Sequence, residues 1–432
     1  MHHFPIYEKI GRVRRLNWIV GGFMVVMLGM APAVCRADDA SEAKLLQKIT
    51  ELENRLATLE AKQAPQAATS SVTRSDVENI VAEKVSAAGA GVPDVLKGIT
   101  VSGFVDTAYV YNTNHPDSGT NTGRAFDTEA NSFGFQAAKL ALEKLPAKTG
   151  GVGFRVDLLM GEDAKVLNSF TNGFNGDGHF DLEQGYVDIM APVGKGLDIK
   201  AGKFTTLQGA EVIESKDNWN FTRSILFGYA EPATHTGVRV SYPILDTLTG
   251  YLGVNNGWDT VKDNNKGKSV ETSLAWSPKD WFSLSLSGIS GAEEAGNNHS
   301  NRNLIDLVAT YQPIKALTLK LAADYANEQD LAGPDKNGTW SGVAGYARYD
   351  LNDKWSVSNR TEYFADPNGV RVVAGTPVDL WENTSTLELR PYKDLITRLE
   401  YRYDHASDQI YMVNSKAVDY QGTIALEAIY AF

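Results

Sequence analysis

Charged residues recur at every second position in several stretches of the chain. Arg398, Glu400 and Arg402 alternate with one leucine and two tyrosines. Consecutive side chains of a β-strand point to opposite faces of a sheet, so this stretch predicts a strand with one charged and one apolar face. A charged face of this kind can hold water or ions. The same alternation places four more charged residues on such a face: Lys320, Asp324, Arg348 and Arg360.

Residue types that support catalysis do not combine into a recognisable motif. The five histidines beyond residue 37, at positions 115, 179, 235, 299 and 405, include no pair at metal-ligand spacing. There is no Gly-x-Ser-x-Gly elbow, phosphate-binding loop or haem-attachment motif. We therefore predict no enzyme, no cofactor and no metal site. Two alternatives stay open: a Ser-His-Asp site assembled from separate strands, and Ca²⁺ binding by the loops at 175–178 and 263–267, although such sequences usually form simple turns.

Charge and cysteine content restrict the possible partners. The chain has 53 Asp and Glu against 41 Lys and Arg, a net charge of −12. Residues 1–37 contain five basic residues and one acidic residue, so their removal would change the net charge from −12 to −16. The single cysteine, Cys35, would leave with them, which would exclude disulfides and thiolate chemistry. An acidic chain of this kind is a poor nucleic-acid binder, and we predict none.

The first 37 residues have the three parts of a secretory signal peptide. Four basic residues between positions 9 and 15 precede an apolar run at 16–33, and small residues lead to Ala37 before the acidic Asp38. We predict export with cleavage after Ala37. An uncleaved membrane anchor is the alternative.

Residues 38–97 predict a periplasmic helical extension and linker. Apolar residues recur there at spacings of four, three, four and three, which is a heptad seam: Leu45, Ile49, Leu52, Leu56 and Leu59. A parallel coiled coil that joins subunits is the favoured interpretation, and a helix lying on another surface is the alternative. Pro65 breaks the pattern, and the Ala-rich polar residues that follow are typical of a linker.

From residue 98 to residue 432 the pattern is β-strand. Short Gly, Pro, Asn and Asp turns alternate with longer polar connections, so all the long connections fall on one side of the sheet. About sixteen antiparallel strands with this alternation predict an all-β transmembrane barrel. The apolar face would contact lipid and the charged face would line a wet lumen. A soluble sandwich is the alternative. The predicted strands are 98–112, 133–146, 151–162, 180–192, 195–205, 235–243, 246–256, 268–277, 280–290, 302–313, 316–328, 339–351, 354–365, 379–391, 394–406 and 418–432.

The longest connection, residues 206–234, carries more apolar side chains than an exposed loop does. Trp219, Phe221 and Phe227 are among them, and they need a surface to pack against. We expect this loop to fold into the barrel and narrow it. The charged residues predicted at the constriction are Glu211, Glu214, Lys216, Asp217, Arg223, Glu231 and, on the following strand, Arg239.

The segments beside this loop resemble one family of Gram-negative proteins. They read AGKF at 201–204, HTGVR at 235–239 and NNGWD at 255–259. With the loop between them, they resemble the putative beta-barrel porin-2 family, over most of 99–432 and most densely over 197–270. The resemblance implies an outer-membrane barrel that acts as a channel. It implies no catalytic residues and no particular substrate, and it does not cover the heptads.

Three functions fit these features. The first, which we favour, is a porin for passive diffusion of small hydrophilic solutes or ions, surrounded by outer-membrane lipid and assembled as a homotrimer. The second is a barrel that sheathes a partner, such as an electron-carrying protein, without a general pore. The third is a tether that links the outer membrane to the cell wall through residues 38–97.

Overall fold

The computed structural model describes residues 98–171, 178–333 and 335–432. The predicted signal peptide (1–37) and the predicted coiled-coil extension (38–97), with its seam, lie outside the described residues. No helix among the described residues is long and apolar enough to cross a membrane.

Strands dominate the described part of the chain. They are β1 (Thr100–Asn112), β2 (Ser132–Lys144), β3 (Gly151–Met160), β4 (Phe180–Ala191), β5 (Leu197–Thr205), β6 (Thr234–Leu245), β7 (Leu248–Asn255), β8 (Ser269–Lys279), β9 (Phe282–Ala292), β10 (Asn301–Ile314), β11 (Leu317–Glu328), β12 (Gly338–Asp350), β13 (Trp355–Asp366), β14 (Val378–Tyr392), β15 (Leu395–Ala406), β16 (Tyr411–Val413), β17 (Lys416–Val418) and β18 (Tyr420–Ala431). β1 to β15 and β18 form one closed antiparallel barrel, in which β18 pairs with both β15 and β1. The predicted sixteen-stranded barrel is confirmed.

Burial along the barrel strands is the inverse of that in a soluble protein. In β18, Ile424, Leu426 and Tyr430 are exposed, whereas Thr423 and Glu427 are buried. Large apolar side chains are exposed in the same way on other barrel strands. A protein in water buries such residues and exposes its charges. An apolar outer band of this kind is what a barrel in lipid requires.

Six barrel strands contain an extra residue: in β6, β8, β10 and β14 it lies beside a short turn, and in β2 and β4 it lies within the strand. The pairing of β1 with β2 skips Gln136, and the pairing of β3 with β4 skips Glu183. Both side chains are buried. A β-bulge of this kind disturbs the alternation of faces, which explains why the sequence pattern is less regular in the predicted strands 133–146 and 180–192.

Short and long connections alternate around the barrel, as predicted. The short ones are 145–150, 192–196, 246–247, 280–281, 315–316, 351–354 and 393–394. The long ones are 113–131, 161–179, 206–233, 256–268, 293–300, 329–337, 367–377 and 407–419. The sequence did not predict the helix α1 (Glu162–Thr171) or the hairpin of β16 and β17, both of which lie in long connections.

The barrel closes where β18 meets β1. The N–H of Gly103 donates a hydrogen bond to the Phe432 carbonyl oxygen (3.0 Å), and the N–H of Phe432 donates to the Gly103 carbonyl oxygen (2.9 Å). A Cβ atom at position 103 would lie 2.7 Å from the Phe432 ring and 2.3 Å from the Lys139 carbonyl oxygen. The closure therefore requires glycine at this position.

Candidate functional site

The connection 206–233, called the lumen loop below, packs against the inner wall of the barrel. Its residues Leu226 and Ala230 share one apolar cluster with Trp340 of β12 and Phe364 of β13. The Trp340 indole N–H donates a hydrogen bond to the Ala230 carbonyl oxygen (3.1 Å). Of the residues that the sequence singled out, Trp219 lies edge-on to Tyr346 of β12, with ring centroids 6.5 Å apart, and Phe221 shares a cluster with Ala108 of β1. The loop contains single turns of 3₁₀-helix (Ser215–Asp217) and π-helix (Leu226–Ala230).

Two wall carboxylates bind the loop main chain. Glu400 of β15 accepts hydrogen bonds from the N–H groups of residues 221 (2.7 Å) and 222 (3.0 Å). Glu362 of β13 accepts hydrogen bonds from the N–H groups of residues 225 (2.6 Å) and 226 (3.1 Å). Each carboxylate replaces the water that two peptide N–H groups would otherwise need, since unpaired buried N–H groups are costly.

Three wall arginines bind carbonyl oxygens of the same loop. Arg360 donates to residue 222 (2.6 Å), Arg402 to residue 223 (2.7 Å) and Arg398 to residue 218 (2.8 Å). The same guanidinium groups pair with wall acids, as in Arg360–Glu382 (2.7 Å). Loop peptide groups and wall charges therefore satisfy one another over residues 218–226.

These wall charges are more buried than we expected for residues that line a wet lumen. Arg360, Arg398, Glu400 and Arg402 are each at most 2% exposed. The sequence predicted water beside them because unpaired buried charge is costly. Here the loop main chain and neighbouring opposite charges take the place of that water.

The three other charged residues predicted for the inner face of the barrel each have different neighbours. Lys320 Nζ lies 4.3 Å from the centroid of the Trp219 ring. Arg348 is partly exposed and binds Glu388 (3.1 Å). Asp324 is buried and lies directly opposite Asp306 across β10 and β11.

The acidic residues predicted at the constriction pair mainly with the wall rather than with loop bases. Glu211 Oε1 lies 2.7 Å from Arg360 Nη1, and Glu214 contacts Lys139 of β2. Burial alone would raise the pKa of Glu214, but Lys139 brings that pKa below its usual value. Asp217 is half exposed and pairs with the adjacent Lys216 at 2.6 Å.

Both arginines predicted at the constriction have partners that the sequence did not indicate, whereas Glu231 has none among the described residues. Arg223 binds Asp163 of α1 at 2.6 Å. Arg239 binds Glu271 of β8 at 2.7 Å and lies outside the loop. For Glu231, burial and the nearby Asp324 raise the pKa of its carboxyl well above the usual value.

The sequence did not indicate that several residues outside the lumen loop contact it. Lys139 and Glu427 lie on charged strand faces, and each contacts the loop, through Glu214 and Ser215 respectively. Alternation could place them on the inner face but could not indicate their partners. Asp163 carried no signal, because the helix that holds it was not predicted.

A closed sixteen-stranded antiparallel barrel, apolar outside and charged inside, is the architecture of an outer-membrane porin. The chain belongs to the family described as putative beta-barrel porin-2, OmpL-like, whose sequence pattern matches residues 98–432. No curated protein matches the chain in sequence.

Solved structures of several outer-membrane proteins share the fold. The channel DcaP of Acinetobacter baumannii is 11% identical with a TM-score of 0.55, over 77% of this chain and 97% of that one. An anion-selective porin from Comamonas acidovorans is 14% identical with a TM-score of 0.55, over 77% and 99%. The trimer form of OmpT from Vibrio cholerae is 13% identical with a TM-score of 0.52, over 77% and 99%. At such identities the likeness establishes the fold alone.

Proposed function

We propose that the protein is a porin for passive diffusion of small hydrophilic solutes or ions across the outer membrane, and that the lumen loop narrows its channel. It needs no catalytic step. The observation that carries the proposal is the set of hydrogen bonds from Glu362, Glu400 and the wall arginines to the loop main chain. A loop that left the barrel would leave these buried charges without their partners, which is costly.

The water path in this proposal runs along the wall formed by β3, β4 and β5. Inward side chains that keep solvent exposure lie there, including Arg155 of β3, with 28% of its side chain exposed, and Lys200 of β5. Lys200 Nζ lies 3.5 Å from the Tyr186 hydroxyl and 4.9 Å from the centroid of its ring. Because the constriction acids Glu211 and Glu214 are paired, we expect weak ion selectivity, further screened over about 8 Å at physiological salt.

Export and assembly complete the proposal. The leader 1–37 would be removed on export to the outer membrane, and the barrels would associate as homotrimers. The trimer form of the similar OmpT structure supports this assembly. The substitutions Ile49→Asp and Leu56→Asp would place charge in the heptad seam. Loss of crosslinked trimers would assign the contact to residues 38–97, and unchanged trimers would assign it to the barrel wall.

A second function is favoured by one observation. The wall charges that bind the loop main chain are nearly inaccessible to solvent, which also suits a barrel that is closed at this level and sheathes or anchors a partner. The two functions differ in whether the purified wild-type protein conducts ions.

Single-channel recording in planar lipid bilayers tests both functions. A porin should give discrete conductance steps in the wild type. Glu362→Gln with Glu400→Gln should give larger or noisier steps, because the loop main chain loses its charged acceptors. Asp353→Asn with Asp394→Asn is the control, since both residues are exposed and lie in the short turns 351–354 and 393–394. If the Glu362→Gln with Glu400→Gln variant conducts and the wild type does not, the closed barrel is favoured. If neither the wild type nor any variant conducts, the porin function is refuted.

A further inference from the structure

Three buried carboxylates meet where the lumen loop rejoins the wall. They belong to Glu231 near the end of the loop, Asp306 of β10 and Asp324 of β11. One oxygen of each lies within 4.8 Å of an oxygen of both others. The residues are 5%, 0% and 5% exposed, so water screens their mutual repulsion poorly.

The strand register places two of these acids face to face. Asp306 and Asp324 are directly opposite in the pairing of β10 with β11, an arrangement that like charges destabilise. The barrel has another such pair, Glu362 and Glu382. There the Arg360 guanidinium lies 2.7 Å from Glu382 and 3.9 Å from Glu362. In the described part of the chain, no basic side chain forms an ion pair with Asp306, Asp324 or Glu231.

The oxygens of the cluster also lack hydrogen-bond donors. Both carboxylate oxygens of Asp324, Oδ2 of Asp306 and Oε2 of Glu231 are buried without a hydrogen-bond partner among the described residues. The remaining oxygen of Asp306 accepts a hydrogen bond from the Ser287 hydroxyl (2.7 Å). Buried polar atoms without partners are rare in folded proteins, and these point to a common ligand.

A second group of three carboxylates in the same barrel indicates that such a ligand would be a cation. Asp157, Glu183 and Glu214 also bring their oxygens within 4.8 Å of one another. Lys139 Nζ lies between them, 2.8 Å from both Asp157 and Glu183 and in contact with Glu214. Three carboxylates there surround a cation that the chain itself supplies.

We propose that Glu231, Asp306 and Asp324 bind a calcium ion that joins the end of the lumen loop to β10 and β11. The donors are all oxygen, which suits a hard cation. Ca²⁺–O distances of about 2.3–2.6 Å allow ligand oxygens up to about 5 Å apart, whereas Mg²⁺ at about 2.1 Å holds them within about 4.2 Å. Oxygens that all lie within 4.8 Å of one another are within the reach of one Ca²⁺, and the looser geometry that Ca²⁺ accepts suits three carboxylates on three different segments.

The neighbouring residues are consistent with a built site. The Ser287 hydroxyl fixes one oxygen of Asp306, as a second layer of hydrogen bonds does for many metal ligands. A Cβ atom at Gly209 would lie 2.2–2.5 Å from the Glu231 carboxylate, so glycine at 209 leaves room for that carboxylate. The site does not depend on the proposed channel, because it requires only that the loop end meets β10 and β11.

The test is isothermal titration of the chelator-treated full-length protein in detergent with CaCl₂. The wild type should bind one Ca²⁺ per chain. Asp324→Asn, which has the same shape and no charge, should lower the affinity at least tenfold. Asp408→Asn, an exposed residue in the connection 407–419, is the control and should leave the affinity unchanged. Folding of each variant is checked by its heat-modifiable mobility on gels, and Glu231→Gln replaces Asp324→Asn if the latter does not fold.

Two outcomes would overturn the proposal. The first is the absence of calcium binding by the folded wild type. An infrared band of a protonated carboxyl that disappears in Asp324→Asn would then show that Asp306 and Asp324 share a proton instead. The second is undiminished binding in folded Asp324→Asn or Glu231→Gln, which would place the ion elsewhere.

Discussion

Arg360 of β13 and Glu211 of the lumen loop form a buried ion pair, with Nη1 and Oε1 2.7 Å apart and side chains 0% and 5% exposed. The two residues are 149 positions apart in the chain. The same guanidinium binds Glu382 of β14 and a loop carbonyl oxygen. One side chain thus joins two strands of the wall to the loop.

We expect Arg360→Met to destabilise the barrel. The substitution keeps the apolar stem but leaves Glu211 and Glu382 buried without their shared cation, and breaking a buried pair costs about 3–5 kcal/mol. The free energy of unfolding in detergent, measured by urea titration, checks this. Arg348→Met is the control: its side chain is 19% exposed, and we expect a change of less than about 1 kcal/mol. Equal stability of Arg360→Met and the wild type would mean that the pair does not hold the loop.

Cysteine labelling tests the orientation of the barrel. In a Cys35→Ser background, single cysteines at the exposed positions Thr120 and Asn298, in the long connections, should react with a membrane-impermeant maleimide on intact cells. Cysteines at Lys148 and Asp353, in the short turns, should react only after the outer membrane is permeabilised. Long connections of such barrels face the cell exterior, so the opposite pattern would invert the proposed topology.

Ion selectivity should respond to Lys200. Lys200→Gln removes a positive charge from the proposed water path, and we expect the reversal potential in a KCl gradient to shift towards cations. The shift should grow as the salt concentration falls, because the Debye length increases. Lys148→Gln, in a short turn, is the matched control. Equal reversal potentials for the wild type and Lys200→Gln would exclude this side chain from the conduction path.

Removing the Lys139 ammonium should create a calcium response. Lys139→Met leaves Glu183 and Glu214 without the ammonium group and Asp157 paired with Arg155 alone (2.9 Å), so we expect the variant to be less stable than the wild type. Added CaCl₂ should recover part of that loss, because an ion that binds only the folded state stabilises it. Lys203→Met is the control, since Lys203 pairs with a single carboxylate of the described residues, that of Asp181, at 2.8 Å. A similar calcium response in both variants would contradict this prediction.

The barrel itself was predictable from sequence because residue types alternate along each strand according to the surroundings of its two faces. In β18, alternation alone separated Leu426 and Tyr430 from Glu427, and lipid on one side of the wall makes that alternation regular. The positions of Gln136 and Glu183 were harder, because a bulge changes the register without a residue type that marks it.

The pairing within the barrel could not be predicted. Alternation places Arg360 and Arg402 on the inner face but contains no information on the path of a loop far away in the chain. We expected the loop charges to line the constriction of a wet lumen, whereas Glu214 contacts Lys139 and Arg223 contacts Asp163. Those partners depend on how strands are staggered around the ring, which is a property of the closed sheet as a whole.

The pairing of β1 with β18 sets the order of events during assembly. These strands meet only when more than three hundred intervening residues have been arranged; Thr107 pairs with Ala428, for example. Until then each strand has one edge of N–H and C=O groups without partners, and such an edge is not tolerated in the hydrocarbon core. Closure of the ring and entry into the bilayer must therefore be coupled. A protein that shields the two open strand edges would lower the barrier to closure and to insertion.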